Sequence, residues 1–330
     1  MKANKNIKFL RNVILIFLSV YITIFIFIEA FPLSFNNVNN TRWKITKQVF
    51  EKKYDLSDST INILFIGDSR LNAALDFTKI DYSWSFGMGG STTIESYYLI
   101  KKYISVYKKP DTIVMSISPR FLTEIFAFWD LAIRNDFFTK AEFKEIAHIH
   151  KQLDDTILKG KLNTKYWLYK MNFPAFFQED VHNNLIIFGK EKNEELISYV
   201  LYNRGKRPHP NLKESCSSLN NETKMTKFEP SPIFNFYFDK ILQLCKDEQI
   251  NLIFMAMPMN ESSFSRLSTD FVDDYKKYMD KKQKAYPKFI ISNDLYALPD
   301  SLFGDESHLN AKGTEFFTEE FLKGKIIDVQ

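Results

Sequence analysis

The chain has 330 residues, 45% of them hydrophobic and 25% charged, and its formal net charge is +4. This composition is typical of a folded protein with a sizeable core, so a disordered chain is excluded. The small positive charge is spread along the sequence, which argues against a nucleic-acid-binding protein.

The first 33 residues combine a basic tip with an apolar run. Lys2, Lys5, Lys8 and Arg11 precede residues 13–28, which carry no charge. A run of this length predicts a transmembrane helix whose flanking side chains reach the interface. Because basic residues stay on the cytoplasmic side, we expect a single-pass anchor with a cytoplasmic N-terminus and an extracytoplasmic domain at the cell membrane.

Two alternatives for this segment stay open. A cleaved signal peptide needs small residues at its cleavage site, but the only candidate, Ile28-Glu29-Ala30, has a bulky Ile at one of those positions. A buried core helix is the other alternative, since the segment is apolar on every face.

Short apolar strands and amphipathic helices alternate beyond the anchor. Residues 34–60 are predicted to form a juxtamembrane linker with one helix near 43–53, and residues 61–330 to form the folded domain. Strands are predicted at 61–66, 112–117, 252–257 and 289–292, with another ending at 85–86; helices are predicted at 69–75, 92–107, 233–248, 271–284 and 314–322. This alternation predicts an α/β fold in which a doubly wound parallel sheet carries helices on both faces.

Residues 121–230 interrupt the alternation and are predicted to be a large insertion over one edge of the sheet. They are rich in aromatic residues and read as mostly helix and loop, with one candidate strand at 184–188. The aromatic series 126, 128, 129, 137 and 138 fits either core packing or a lid near the bilayer. The basic residues at 204, 206 and 207 fit either a contact with an anionic glycopolymer or a plain exposed loop.

Cysteine and histidine usage gives no metal site. Cys216 and Cys245 fit either one disulfide or two separate thiols. His148 and His150 face different directions on a helix, and the histidines at 182 and 209 have no ligand-like neighbours. We therefore predict neither a metal nor another cofactor.

A serine follows the first strand of the domain, in the sequence Gly67-Asp68-Ser69. In open parallel sheets, ligands bind at the carboxyl ends of the strands, where helices begin. A serine at such a point is exposed, and the N–H groups of the next helical turn can receive negative charge. These are the requirements of an acyl-transfer nucleophile. Alternatively, Asp68 or Ser69 only caps the helix.

An acid and a base lie near the C-terminus, at Asp305 and His308. Their offset of three residues brings both side chains to one side of a helical turn or tight loop. The carboxylate can then hold the imidazole while the other ring nitrogen takes the proton of Ser69. The alternative is a surface Asp and a solvated His, but the presence of both halves in one chain favours a catalytic site.

These residues resemble the SGNH/GDSL hydrolase superfamily, whose first block is Gly-Asp-Ser and whose last block is Asp-x-x-His. In this superfamily the last block is commonly followed by Leu/Pro-Asn-x-x-Gly, as in residues 309–313. Residues 86–92, Phe-Gly-Met-Gly-Gly-Ser-Thr, resemble the second block. The resemblance implies a flavodoxin-like fold, a triad of Ser69, His308 and Asp305, and an oxyanion hole from the backbone N–H groups of Gly90 and Ser69.

The third block departs from the superfamily pattern. Where typical members carry Gly-x-Asn-Asp, residues 116–121 read Ser-Ile-Ser-Pro-Arg-Phe, without the Asn that completes the oxyanion hole. This departure resembles the membrane-anchored branch typified by the D-alanine transfer protein of teichoic acid modification. Losing one oxyanion donor costs about 100- to 1,000-fold in rate. We therefore expect either that Arg120 or a backbone amide substitutes, or that the enzyme is slow or specialised. Arg120, Arg70 and Asp68 are candidate substrate contacts, and a surface salt bridge is the alternative for Arg120.

Three functions are weighed on these features. The first is a membrane-anchored, extracytoplasmic enzyme that transfers an acyl group through an acyl-Ser69 intermediate to a cell-envelope polysaccharide or related polymer. The resemblance implies a multispanning membrane O-acyltransferase as a partner. The second is an esterase or deacetylase that uses the same triad with water as the acceptor. The third is a non-catalytic scaffold of an envelope complex, for which the missing Asn is the only support.

Overall fold

The computed structural model describes residues 2–30, 38–54, 56, 60–170, 188–208 and 226–324. Its first helix, α1, spans Lys2–Ala30. Within it, Lys5–Ile26 contains an 18-residue window whose mean hydropathy is 2.2 and which is 0% buried against the rest of the protein. Length and hydropathy therefore suit a membrane span, and a signal sequence shares both properties.

Five parallel strands form the central sheet, in the order β2-β1-β3-β4-β6. They are β1 (Ile63–Gly67), β2 (Ser83–Gly87), β3 (Thr112–Ser116), β4 (Asn251–Phe254) and β6 (Ile290–Ile291). A separate two-stranded parallel sheet pairs β5 (Met259–Asn260) with β7 (Ala297–Leu298). The predicted α/β architecture with a parallel sheet is confirmed.

Helices connect the strands and make up most of the described part of the insertion. They are α2 (Val38–Phe50), α3 (Ser69–Ala74), α4 (Thr93–Val106), α5 (Lys140–Gln152), α6 (Leu162–Lys170), α7 (Phe188–Tyr202), α8 (Pro232–Asp247), α9 (Glu261–Phe264), α10 (Thr269–Ala285) and α11 (Ala311–Leu322). Short 3-10 helices lie at Phe77–Lys79, Pro119–Leu122 and Asp300–Leu302, and a π-helix lies at Phe128–Ile133.

Both faces of the central sheet are covered by apolar side chains. Alternate residues of a strand point to opposite faces, and the two neighbours Leu64 and Phe65 of β1 belong to different clusters. The larger cluster contains Leu64 together with side chains of α2, α4, α8, α10 and the insertion. The smaller cluster contains Phe65 with Leu71 of α3 and Phe317 of α11. The strands are therefore buried on both sides, as their continuous apolar sequences indicate.

Helix α2 packs into the folded domain, although residues 34–60 were predicted to be a linker. Trp43, Ile45 and Val49 are buried in the larger cluster. The Arg42 guanidinium donates to the carbonyl oxygens of Ser85 (3.1 Å) and Gly205 (2.8 Å). Burial lowers the pKa of Arg42 to about 9, with the nearby Arg207 as a smaller cause. The described part of this segment is therefore a component of the domain rather than a spacer.

The end of the insertion covers the outer edge of β2. The Ser85 N–H donates to the Arg204 carbonyl oxygen at 2.9 Å. Arg207 exchanges two hydrogen bonds with the Asn72 side chain, at 2.9 and 3.2 Å, and Lys206 donates to the Leu75 carbonyl oxygen at 2.8 Å. Burial lowers the pKa of Lys206 to about 8. These three basic residues therefore fasten the insertion to the sheet edge, a role that the sequence did not indicate.

Four of the five aromatic residues singled out in the insertion belong to the core. Phe128, Trp129, Phe137 and Phe138 are buried in the larger cluster, whereas Phe126 is exposed. The core-packing alternative therefore holds for four of them.

Several predicted features lie outside the described residues. They are Cys216, His182, His209 and residues 184–187 of the candidate strand, whose last residue, Phe188, begins helix α7. Cys245 is a buried free thiol, and burial raises its pKa to about 12. The pairing of Cys245 with Cys216 thus stays untested.

Candidate active site

Ser69, His308 and Asp305 lie in one hydrogen-bonded chain. The Ser69 Oγ is 2.8 Å from the His308 Nε2. The His308 Nδ1 is 2.9 Å from each of the two Asp305 carboxylate oxygens. A carboxylate only accepts, so Nδ1 carries the hydrogen and Nε2 presents its lone pair to the serine hydroxyl. The imidazole is therefore oriented to take the serine proton.

The end of strand β1 fixes the position of the serine. A Cβ at Gly67 would lie 2.0 Å from the Ser116 carbonyl oxygen, so only glycine lets β1 and β3 approach this closely. Helix α3 begins at Ser69, and Asp68 is its N-cap residue. Ser69 therefore stands at the first position of the helix and is partly exposed, while its neighbours on both sides are buried.

Asp68 has a structural role in this structure, and its part as a substrate contact stays a prediction. The Asp68 carboxylate is buried and accepts the Arg70 N–H at 2.9 Å through Oδ1. Its Oδ2 accepts from both the N–H and the hydroxyl of Ser118, each at 2.7 Å. The side chain thus joins the helix that carries the nucleophile to the loop after β3, and no oxygen is left facing solvent.

The loop that carries the acid and the base is closed by its own backbone. The Asp305 Oδ1 accepts the N–H groups of Ser307 and His308, each at 2.8 Å. The Gly304 N–H donates to the His308 carbonyl oxygen at 2.9 Å. The three-residue spacing of Asp305 and His308 is therefore that of a tight turn around the carboxylate, one of the two conformations that the sequence allowed.

The residues after His308 attach this loop to helix α3. Asn310 caps α11 by accepting the Gly313 N–H at 2.9 Å, and it donates to the Ser301 carbonyl oxygen at 2.8 Å. A Cβ at Gly313 would lie 2.2 Å from the Leu302 carbonyl oxygen. The Thr314 hydroxyl donates to the Ala73 carbonyl oxygen at 2.7 Å. The Asn-x-x-Gly sequence thus helps to hold His308 next to Ser69.

Two backbone N–H groups are suited to stabilise an oxyanion. The loop after β2 lies beside the end of β1, because the Met88 N–H donates to the Gly67 carbonyl oxygen at 2.9 Å. Within the described part of the chain, the N–H groups of Gly90 and Ser69 have no hydrogen-bond acceptor. Gly90 has φ +68°, and its Cβ would meet the Phe126 ring at 2.7 Å, so the position requires glycine.

The buried carboxylate of Glu95 holds the residue Thr92, which lies two positions after Gly90. The Glu95 carboxylate accepts the Thr92 N–H at 2.9 Å and the Thr92 hydroxyl, which forms a capping box at the start of α4. Burial raises the pKa of Glu95, and the hydrogen bonds from Thr92 oppose that change. The loop is therefore anchored directly after Gly90, which limits the movement of its N–H.

Two polar side chains of the third block, those of Ser118 and Arg120, have protein partners. Ser118 is engaged with Asp68, and the Ser116 hydroxyl is buried. The Arg120 Nε donates to the Glu124 carboxylate at 2.8 Å. Arg120 thus forms the salt bridge that was the alternative to a substrate contact. Arg70, another candidate substrate contact, is a buried residue of α3. Of the two substitutes that we expected for the Asn, the geometry thus favours a backbone amide over Arg120.

Sequence reasoning did not place two residues at the site, although it had singled out Phe126 as part of an aromatic series. Asn260 is fully buried and donates to the Glu306 carbonyl oxygen at 2.9 Å, which fixes the catalytic loop from the side of β5. Phe126 lies against Gly90. Neither residue belongs to a motif, and each reaches the site only through the fold, so no local signal points to them.

Among the described residues, no three His, Cys, Asp or Glu side chains are grouped so as to hold a metal ion. The chain matches no protein-family model and no curated protein. The chemistry of the site therefore has to be argued from its geometry.

Proposed function

We propose that this protein is a membrane-anchored, extracytoplasmic serine acyl-transfer enzyme of the SGNH/GDSL type. The observation that carries the proposal is the hydrogen-bonded chain Ser69–His308–Asp305, with the serine hydroxyl 2.8 Å from the imidazole. Nucleophile, base and orienting acid come from segments about 240 residues apart, so their alignment is a property of the fold. Such a chain is the usual way to activate a serine for attack on an acyl carbonyl.

In the first half of the reaction, Ser69 takes the acyl group. The His308 Nε2 accepts the hydroxyl proton while the Ser69 Oγ attacks the acyl carbonyl carbon. The oxyanion of the tetrahedral intermediate would be held by the N–H groups of Gly90 and Ser69, two backbone donors. The intermediate then collapses, and the leaving group departs with the proton from Nε2.

In the second half, a hydroxyl group of the acceptor takes the acyl group. The His308 Nε2 removes the proton of that hydroxyl while its oxygen attacks the ester carbonyl of acyl-Ser69. Collapse of the second intermediate returns the proton from Nε2 to the Ser69 Oγ. Asp305 keeps the imidazolium oriented in both halves and is not itself protonated.

The strand order supports a doubly wound, flavodoxin-like fold. In the order β2-β1-β3-β4-β6, successive strands are added on both sides of β1, and flavodoxin-like sheets have the same arrangement. In that fold a ligand binds outside the carboxyl ends of the strands next to the point of reversal. Ser69 follows β1, one of the two strands at that point, and Gly90 follows β2, which pairs with β1.

The setting in the cell envelope is proposed from the N-terminal segment. Helix α1 would anchor the enzyme, and the basic residues before it would keep its N-terminus in the cytoplasm. The acceptor would then be a cell-envelope polysaccharide or related polymer. A multispanning membrane O-acyltransferase would supply the acyl group from the other side of the bilayer.

Hydrolysis by the same triad is the second candidate function. Ser69 is partly exposed, and the His308 side chain retains 17% of its accessible surface, so water can reach the acyl-enzyme. An open site favours water as an acceptor, and a dry one favours transfer. The two functions differ in how much an added acceptor competes with water.

A fluorophosphonate probe tests the proposal, because only an activated serine reacts with it. We expect the full chain in detergent to be labelled and the Ser69→Ala variant to show no labelling. Ser265→Ala, at an exposed serine of no catalytic role, should be labelled like the wild type. A wild-type protein that stays unlabelled would contradict the proposal and favour the non-catalytic scaffold.

A further inference from the structure

Phe126 is the one member of the singled-out aromatic series that lies on the surface. It is 65% exposed, whereas Phe128, Trp129, Phe137 and Phe138 are at most 5% exposed. A single exposed aromatic residue is ordinary in a folded protein. The position of this one, however, connects it with the candidate active site.

The Phe126 ring lies against the loop that would hold the oxyanion. A Cβ built on Gly90 would be 2.7 Å from the Phe126 Cδ1, so the ring is in van der Waals contact with the Gly90 backbone. The ring of Phe121 stands beside it, with centroids 6.1 Å apart and planes tilted by 46°. Phe126 therefore lies against Gly90, with Phe121 beside it, and the exposed part of the Phe126 ring offers an apolar face next to the Gly90 loop.

Two charged residues lie close to the two aromatic residues in the chain. Arg120 and Glu124 form an ion pair at 2.8 Å, and their side chains are 25% and 49% exposed. A flat apolar face next to hydrogen-bonding groups complements a pyranose ring, which has C–H bonds on its face and hydroxyl groups around its rim. An acyl chain fits this surface less well, because a ring that is mostly open to solvent would leave one side of the chain in water.

We propose that Phe126, together with Phe121, forms the acceptor subsite and stacks against a pyranose ring of the polysaccharide that receives the acyl group. Stacking there would present a ring hydroxyl to the acyl-Ser69 carbonyl beside Gly90. This inference rests on the proposed function, since it requires an acyl-enzyme at Ser69.

The test compares two acceptors that compete for one intermediate. The full chain in detergent is acylated with p-nitrophenyl acetate, and acetyl transfer to cellotetraose or chitotetraose is measured against release of acetate to water. Both acceptors attack the same ester with the same oxyanion donors, so the ratio of transfer to hydrolysis cancels any effect of Phe126 on acylation. We expect Phe126→Ala to lower this ratio about 10-fold, a typical loss for an aromatic contact, and Phe126→Trp to keep it.

Two controls separate stacking from other effects. Glycerol offers hydroxyl groups without a ring, so its ratio of transfer to hydrolysis should change by less than about twofold in Phe126→Ala. Tyr82 is similarly exposed, at 61%, but precedes β2 at the amino end of the strand. Tyr82→Ala should therefore leave the oligosaccharide ratio unchanged.

Three results would overturn the inference. Transfer and hydrolysis that fall in parallel in Phe126→Ala would mean that the ring acts only by holding Gly90. A loss that appears only with longer acyl donors would assign the rings to the acyl group. If no oligosaccharide accelerates the breakdown of the wild-type acyl-enzyme, the protein has no such acceptor subsite. Absence of fluorophosphonate labelling is a separate result, since it would contradict the proposed function itself.

Discussion

Asp305 carries out two tasks with one carboxylate. Its Oδ1 accepts two backbone N–H groups and so holds the turn, while both oxygens lie 2.9 Å from the His308 Nδ1. The side chain therefore fixes the shape of the loop and the tautomer of the base together. A substitution that preserves its size but changes its donors and acceptors can separate these tasks.

Asp305→Asn is the substitution that does so. The amide oxygen can still accept the backbone N–H groups, but its NH₂ group would face Nδ1 and favour the tautomer with hydrogen on Nε2. That tautomer cannot take the serine proton, so we expect kcat/KM for p-nitrophenyl acetate to fall about 1,000- to 10,000-fold. Asp273→Asn, at an exposed position of α10, should have no effect. A drop of less than tenfold with an unchanged fold would contradict the assigned role of Asp305.

The sequence predicted the reactive residues better than the residues that support them. The spacing of Asp305 and His308 predicts their contact, because three residues span one turn. The sequence offers Asp68 only as a candidate substrate contact, whereas its hydrogen-bond partner Ser118 is 50 residues away. A long-range hydrogen bond of this kind leaves no local pattern, so only the fold reveals it.

At the scale of elements, the site is built from loops that follow parallel strands and are joined by hydrogen bonds. Asn260, at the end of β5, accepts the Ser263 N–H at 2.7 Å to cap α9 and donates to the Glu306 carbonyl oxygen. One buried amide thus links a short strand, a short helix and the catalytic loop.

Replacing Asn260 by Asp tests this link. The carboxylate keeps the helix cap but puts a negative charge against the Glu306 carbonyl oxygen. We expect a loss of about 1–3 kcal/mol in the free energy of unfolding and a fall in kcat of at least tenfold, as the loop shifts. Ser268→Ala removes the cap of α10, which costs about 1 kcal/mol, and should leave kcat unchanged. Equal kinetic effects in both variants would sink the positioning role.

The predicted strand boundaries agree with the structure at β3 but not at β4, where apolar residues are buried outside the strand. The third strand was expected at 112–117 and lies at Thr112–Ser116. The fourth was expected at 252–257 but ends at Phe254. The apolar sequence continues because Met255 and Met257 are buried in the smaller cluster, although they do not belong to the strand. Periodicity detects apolar burial and cannot tell a strand from a buried irregular segment.

At the scale of the whole molecule, segments that look peripheral in sequence complete the core. Helix α2 lies in a region with many Lys and Asn residues, and its mean hydropathy gives no sign of burial. Yet Trp43 packs edge-on against Phe137 of the insertion, with ring centroids 5.2 Å apart. Contacts between two segments that are nearly 100 residues apart depend on the assembled sheet, which explains why the sequence indicated a linker.

The proposed orientation of the chain can be measured with two reporter fusions at the C-terminus. We expect an alkaline phosphatase fusion to be active and a green fluorescent protein fusion to be dark, since the first folds only outside the cytoplasm and the second only inside. Replacing Lys2, Lys5, Lys8 and Arg11 by Gln should weaken this preference, because these residues set the topology. A fluorescent fusion with inactive phosphatase would place the domain in the cytoplasm and refute the extracytoplasmic assignment.

In the proposed arrangement, with α1 in the bilayer, the docking of α2 also limits the distance between the membrane and the folded domain. Helix α1 ends at Ala30 and α2 begins at Val38, so the segment between them can span no more than about 25–30 Å. A long flexible linker would allow the candidate active site to reach deep into the cell wall, whereas this short linker would keep it close to the lipid headgroups. Acylation would then occur on polymer strands while they are still close to the membrane surface.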